Sequence, residues 1–130
     1  MVKAVDIKAT LEPLPVLHGR TPHTPDEESD KAFATLADYR DGGIFAGSFD
    51  GHSEWERHRN GDELVHVLGG ETTMTILTDD GPVELTLTAG MLTVVPQGLW
   101  HRFHAPDGVT LMTVTPQPTD HSTADDPRDD

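Results

Sequence analysis

Short runs of strand-forming residues, separated by turns at intervals of about ten residues, constrain the fold of this chain more than any other feature. Turn chemistry recurs at Asp50-Gly51, Asn60-Gly61-Asp62, Gly69-Gly70, Asp79-Asp80-Gly81-Pro82, Ala89-Gly90, Pro96-Gln97-Gly98 and Pro106-Asp107-Gly108. Between them the sequence predicts strands at residues 44–49, 53–58, 63–68, 72–78, 83–88, 91–95, 100–104 and 109–115. Such a series is typical of an antiparallel β-sandwich or β-barrel.

The segment before these strands has a different character. Residues 1–31 mix prolines with polar residues and show no sustained period, so we expect an extended N-terminal arm along the barrel or across a partner subunit. Residues 24–39 leave two alternatives. We prefer a strand from Phe33 to Tyr39, because the hairpin turn Arg40-Asp41-Gly42-Gly43 follows it. The other alternative is a helix that begins at the capping box Thr24-Pro25-Asp26-Glu27.

The length of the chain, 130 residues, suits a single domain with one hydrophobic core. Pro116-Gln117-Pro118 is expected to end the last strand. The residues beyond it are acidic and polar, which is typical of disorder. We therefore expect an N-terminal arm at residues 1–31, a β-barrel at residues 32–116 and a disordered acidic tail at residues 117–130.

Composition excludes several functions. With 9 basic and 23 acidic residues the formal net charge is −14, which repels nucleic acids and anionic membrane surfaces. The chain contains no cysteine, so a bound metal must rely on nitrogen and oxygen ligands. The sequence shows neither a signal-peptide pattern nor an apolar run near the roughly 18 residues of a membrane span. A cytoplasmic protein is expected.

Four polar side chains occur where neighbouring strands can aim them at one point. Glu56 and His58 share one face of their strand, because side chains alternate between faces. Glu63 opens the next strand, and His101 follows the turn Pro96-Gln97-Gly98. Two imidazoles and two carboxylates predict a metal site inside the barrel.

Other conspicuous side chains have the opposite strand parity. His66 lies three residues after Glu63, and His104 lies three residues after His101. Each is therefore on the opposite face of its strand and is expected to point away from the site. Trp55 and Trp100 also lie opposite the predicted ligands, and packing in the core or at an interface is their expected role.

The residues around the predicted ligands resemble the paired motifs of the cupin superfamily, G-x5-H-x-H-x3,4-E-x6-G and G-x5-P-x-G-x2-H-x3-N. The first motif reads Glu56-Arg57-His58-Arg59-Asn60-Gly61-Asp62-Glu63 here, followed by Gly70, and the second runs from Gly90 through Pro96 and Gly98 to His101. The resemblance covers about residues 41–116. It implies a small single-domain cupin, which is an antiparallel double-stranded β-helix, or jelly roll.

By this resemblance the metal positions of the family map onto Glu56, His58, Glu63 and His101. The chain departs from the motifs at Glu56, where the family has histidine, at Ala105 in place of the final asparagine, and at Asp50 in place of the opening glycine. Without Glu56, the remaining set suits iron(II) and leaves open coordination positions. Iron, manganese, nickel and zinc all remain candidates. Glu56, if not bound to the ion, would be a natural general base.

Two classes of function follow. In one, the protein is a metal-dependent enzyme of the dioxygenase or isomerase/lyase type, and in the other it binds or senses a small molecule without turnover. Strand parity sends Arg57 and Arg102 away from the ligand face, so a non-phosphorylated, oxygen-bearing substrate is expected unless Arg20 or Arg40 reaches in. The walls are expected to include Val65, Val67 and Phe103, with further apolar residues such as Met74, Ile76, Leu111 or Met112. A homodimer is also expected, because jelly-roll sheets leave edges that need cover.

Overall fold

The N-terminal arm lies along one edge of the barrel. The computed structural model describes residues 2–129, and the arm contains helix α1 (Ile7–Leu11), strand β1 (Leu17–Arg20) and helix α2 (Asp26–Ala32). Helix α1 is capped by Asp6, whose Oδ1 accepts a hydrogen bond from the Ala9 backbone N–H at 2.9 Å. Strand β1 pairs in parallel with strand β3 (Gly42–His52), which fixes the arm to the barrel.

The remainder of the described chain is almost entirely β-structure. Strands β2 to β9 span Phe33–Tyr39, Gly42–His52, Trp55–His58, Glu63–Thr78, Gly81–Thr88, Leu92–Val95, His101–Pro116 and Thr119–Ser122. The nine strands form one sheet, in which β8 pairs antiparallel with β3, β4 and β5. This sheet curls into the predicted all-β jelly-roll barrel, which confirms the fold class.

The two alternatives for residues 24–39 describe successive parts of one segment. The preferred strand is confirmed, because β2 covers Phe33–Tyr39 and pairs with β3 through the predicted hairpin. Helix α2 directly precedes it, with Pro25 rather than Thr24 at the N-cap. Three acidic residues in the first turn suit the positive end of the helix, and the helix stops where Phe33 adopts an extended backbone.

Three of the predicted turns are wrong, because they lie within continuous strands; one is Asp50-Gly51, which is part of β3. Residues 63–68 and 72–78 are both part of β5, and residues 101–104 and 109–115 are both part of β8. Gly70 lies opposite Val109 at a shift in the β5–β8 register. Gly70 and Gly108 have φ angles of +72° and +96°, so the glycines let both strands bend while they stay paired.

The expectation of a disordered tail is wrong for residues 119–122. Strand β9 pairs antiparallel with β4, from Trp55 opposite Ser122 to His58 opposite Thr119. Asp120 fixes it through ion pairs with Arg57 at 3.0 Å and Arg59 at 2.5 Å. Asp120 thus ties the tail to Arg57 in β4 and to Arg59 just after it, and a 3-10 helix follows at Pro127–Asp129.

The main core fills the barrel interior. Its central side chains, each at most 1% exposed, include Phe49, Val65, Val67, Met74 and Val95. A second cluster lies on the outer side of the sheet and contains Trp55, Leu77 and Trp100. Neither α-helix of residues 2–129 has the length or apolar character that crossing a membrane would require.

Candidate metal centre

The site lies where the turn after His58 contacts the turn before His101, one turn from each sequence motif. His58 ends β4, Glu63 begins β5 and His101 begins β8. The backbone N–H of Gln97 donates to Asp62 Oδ1 at 2.8 Å, and the N–H of Gly98 donates to the carbonyl of His58 at 2.9 Å. These hydrogen bonds bring the three strand ends to one end of the barrel.

His58, Glu63 and His101 form a compact buried group there. His58 Nε2 lies 3.1 Å from Glu63 Oε2, and His101 Nε2 lies 3.0 Å from Glu63 Oε1. One ligand atom from each residue lies within 4.8 Å of the other two, and each side chain is at most 6% exposed. Three of the four predicted ligands are therefore brought together.

The orientation of these atoms fits a cation better than hydrogen bonding. His58 Nε2, His101 Nε2 and Glu63 Oε1 are buried and make no well-directed hydrogen bond within residues 2–129, despite the short separations. Unsatisfied buried polar atoms are costly, and a divalent ion among them would remove that cost. Two imidazole nitrogens and one carboxylate form a donor set that suits iron(II), manganese, nickel or zinc.

Surrounding groups hold each of these side chains in place. The Nδ1 of His101 lies 3.1 Å from the carbonyl oxygen of Leu99, to which an Nδ1–H donates. His58 Nδ1 contacts the Thr119 hydroxyl at 3.0 Å, and the Thr115 hydroxyl donates to Glu63 Oε2 at 2.6 Å. With a proton on Nδ1, each histidine presents the lone pair of Nε2 to the centre of the group.

The electrostatics of the group couple Glu63 to both histidines. Burial by itself would raise the pKa of Glu63, but the contacts with His101 and His58 outweigh it and lower the pKa to about 2. For His101, burial acts to lower the pKa, and the Glu63 carboxylate more than compensates, so the pKa is raised. Glu63 is thus held as a carboxylate, which is the form that binds a cation.

Glu56, the fourth predicted ligand, is not part of this group. It pairs with His101 across the β4–β8 ladder and its side chain is 20% exposed. Its Oε1 lies 4.0 Å from Nη2 of Arg20 at the end of β1. The structure thus places Glu56 beside the candidate metal centre, facing a cation supplied by the N-terminal arm.

A cavity of about 220 Å³ opens from the metal centre and includes Glu56 and Glu63 in its lining. Its apolar wall is aromatic, since all four phenylalanines of the chain contribute: Phe33, Phe45, Phe49 and Phe103. Of the expected walls, Phe103 is confirmed, whereas Val65 and Val67 are core residues. A larger depression of about 660 Å³ lies on the outer surface against Trp100, away from the metal centre.

Of the arginines considered in the sequence, one reaches the cavity. Arg57 and Arg102 do face outward, and their guanidinium groups stack 4.5 Å from Trp100 and 4.3 Å from Trp55. Arg20, however, lines the cavity with a side chain only 13% exposed. The sequence left open whether Arg20 reaches the cavity. The pairing of β1 with β3 is what places its side chain there.

The family of the chain follows from the same region. A family model for the cupin domain matches residues 49–115, more than half of the 130 residues. The chain is a cupin. No curated protein sequence matches it.

Solved structures share the fold. A cupin-2 domain protein from Shewanella frigidimarina is 26% identical to this cupin, with a TM-score of 0.55 over 66% of this chain and 80% of the other. A Streptococcus pyogenes protein of unknown function, SPY1581, is 21% identical, with a TM-score of 0.60 over 91% and 90% of the two chains. Hydroquinone 1,2-dioxygenase from Sphingomonas sp. TTNP3, solved with 4-hydroxybenzoate, is 16% identical, with a TM-score of 0.56 over 71% and 67%.

Sequence reasoning missed several residues of the site. Thr115 lies on the same face of β8 as Leu111 and Thr113, because the three residues are two positions apart. Strand parity could therefore have placed it on the inner face. Thr119 follows a Pro-Gln-Pro stop, and nothing in its local sequence indicates a return to His58. Phe33 and Phe49 gave no signal beyond their apolar character.

Proposed function

We propose that this cupin is a metal-dependent enzyme that binds one divalent ion through His58, Glu63 and His101. The observation that supports this most directly is the convergence of buried, unsatisfied Nε2 and Oε1 atoms at the end of a cavity. Three protein ligands leave coordination positions open for a substrate oxygen. A bound divalent ion would polarise that oxygen or, as iron, activate dioxygen.

The substrate we propose is small, oxygen-bearing and not phosphorylated. The cavity is smaller than the roughly 300–1,000 Å³ of pockets that hold drug-sized ligands, and the apolar part of its wall is largely phenylalanine. A sugar phosphate carries nearly two negative charges, and the described lining offers it one basic side chain, Arg20, against three carboxylates. A dioxygenase and an isomerase or lyase both remain consistent with these features, and hydroquinone 1,2-dioxygenase provides fold-level support for the former.

Within this mechanism we assign Glu56 the role of general base rather than metal ligand. Its carboxylate lines the same cavity as Glu63 but lies outside the convergent group. The Arg20 guanidinium lies 4.0 Å from Oε1 of Glu56, which is beyond hydrogen-bond distance and leaves the carboxylate free to accept a proton. In this position Glu56 can take a proton from a substrate bound in the cavity.

Metal analysis tests the proposal. Protein purified without chelator is expected to contain about one divalent ion per chain, and His101→Ala is expected to lose it. His104→Ala is the matched control, because His104 lies on the same strand but is exposed and stacks on His52 at 3.8 Å. Glu56→Gln should keep the metal and lose turnover.

Two results would contradict the proposal in different ways. Native protein that stays folded but takes up none of the four candidate metals would support the alternative of a non-catalytic binding cupin. Loss of metal from Glu56→Gln would instead return Glu56 to the ligand set. Dioxygen uptake with a turned-over substrate then separates a dioxygenase from an isomerase or lyase.

A further inference from the structure

Arg20 is the residue of the cavity that the proposed reaction does not explain. It ends β1, and its side chain lines the cavity together with Glu56 and Glu63. Among the described residues that line this cavity, it is the only basic one. A largely buried guanidinium in a cavity is stabilised by a hydrogen-bond acceptor, so the groups around Arg20 decide whether it has one.

The guanidinium group is stacked but poorly satisfied. Its central carbon lies 4.7 Å from the ring centroid of Phe49 and 5.6 Å from that of Phe33. The ion pair with Glu56 is 4.0 Å long, which is beyond hydrogen-bond distance. Within residues 2–129 the five N–H donors therefore have no close acceptor, and burial lowers the pKa of Arg20 against the opposing effects of Glu56 and Glu54.

The charges around the cavity limit how much negative charge the missing partner can carry. Arg20 balances Glu56, and a divalent ion exceeds the single charge of Glu63 by one unit. With both histidines neutral as ligands, that excess equals the charge of Asp30, the third carboxylate of the lining, so the charges of the metal-bound cavity sum to zero. A monoanion bound to Arg20 then adds one uncompensated charge, whereas a phosphate ester adds nearly two.

We propose that the cavity binds a small aromatic monocarboxylate, with its carboxylate on Arg20 and its ring against the phenylalanine walls. This inference rests on the proposed function and specifies its substrate class. The planar guanidinium matches a carboxylate in a bidentate geometry that lysine cannot reproduce. Four phenylalanines around about 220 Å³ leave room for a single ring rather than a larger body.

Calorimetric titration of zinc-loaded protein with benzoate, benzamide and phenylphosphonate tests the proposal. Benzamide keeps the shape of benzoate without its charge, and phenylphosphonate keeps the ring with a larger anion. Native protein is expected to bind benzoate at least about tenfold more tightly than either analogue. Arg20→Met, which retains the apolar stem, should lose about tenfold or more in benzoate affinity, and Arg20→Lys should recover only part of it. The matched control is Arg40→Ala, since Arg40 is exposed and stacks on Tyr39.

Each alternative result has a definite meaning. Equal binding of benzoate and benzamide, tighter binding of phenylphosphonate, or full benzoate affinity in Arg20→Met would overturn the proposal. So would the absence of benzoate binding to zinc-loaded native protein. Zinc content and the thermal midpoint are measured on every sample, so zinc-loaded protein without benzoate binding refutes this inference alone. A native protein that takes up no zinc refutes the proposed function as well.

Discussion

The stability of the metal-free protein should depend on pH through Glu63. The pKa of this carboxyl is about 2 in the folded chain and 4.5 as its ordinary value, a difference worth about 3 kcal/mol at about 1.4 kcal/mol per unit. Because the folded-state pKa is depressed, this contribution is complete above pH 4.5 and is lost as the pH falls towards 2. About 2 kcal/mol should already be lost by about pH 3.

His101 should produce the opposite dependence at higher pH. Its pKa is raised above 6.5 in the folded chain, so its contribution is present below 6.5 and is lost as the pH rises through the raised value. The group should therefore stabilise the metal-free protein most between pH 4.5 and 6.5. A bound metal ion would displace the proton from His101 and remove the loss at high pH.

Urea unfolding at a series of pH values, with chelator present, measures this effect. Glu63→Gln should lower the free energy of unfolding by about 3 kcal/mol near pH 6 and by much less near pH 3. Glu71→Gln serves as the matched control, because Glu71 lies on the same strand but is exposed. Subtracting the free energy of unfolding of Glu63→Gln from that of native protein at each pH removes the pH dependence of the carboxylates that both proteins share. If that difference stayed constant from about pH 6 to pH 3, the reasoning would be wrong.

Three further predictions concern the surroundings of the site. Thr119→Val should weaken metal binding by about tenfold or more in a competition titration, because His58 loses its Nδ1 partner; unchanged affinity would contradict that role. Gly70→Ala should cost about 2 to 4 kcal/mol in urea unfolding, since a Cβ would meet the Gly108 carbonyl. Gly81→Ala should cost about 1 kcal/mol, because its φ is also positive but the space is open; equal costs would exclude the clash. Chelation should lower the thermal midpoint by about 10 °C, provided the metal was present at about 100 times its dissociation constant.

The inner face of the barrel could be predicted because its information is local. Strand alternation depends only on neighbouring residues, so Glu63, Val65 and Val67 were placed correctly on one face, with His66 on the other. The same rule turned Arg57 and Arg102 outward and brought His101 to the side of Glu63. Motif spacing then defined which strand ends approach each other.

Glycine chemistry was less decisive, because the same residues serve turns and bends. Gly69-Gly70 and Gly108 read as chain reversals in the sequence, yet β5 and β8 continue through them. The chain reverses at such a glycine or merely bends there. It bends when the residues before and after the glycine pair with the same neighbouring strand. Here each strand is the partner of the other, so the bends coincide.

The sequence by itself determined that the chain forms a β-barrel with two histidines and a glutamate at one end. Only the tertiary structure decided what surrounds them. Arg20 comes from β1 and Thr119 from β9, and both reach the site through pairing between segments far apart in the chain. Such pairing depends on which edges of the sheet remain open after the barrel has closed. That information lies in no local pattern, which is why the partner of Glu56 and the support of His58 became visible only in the fold.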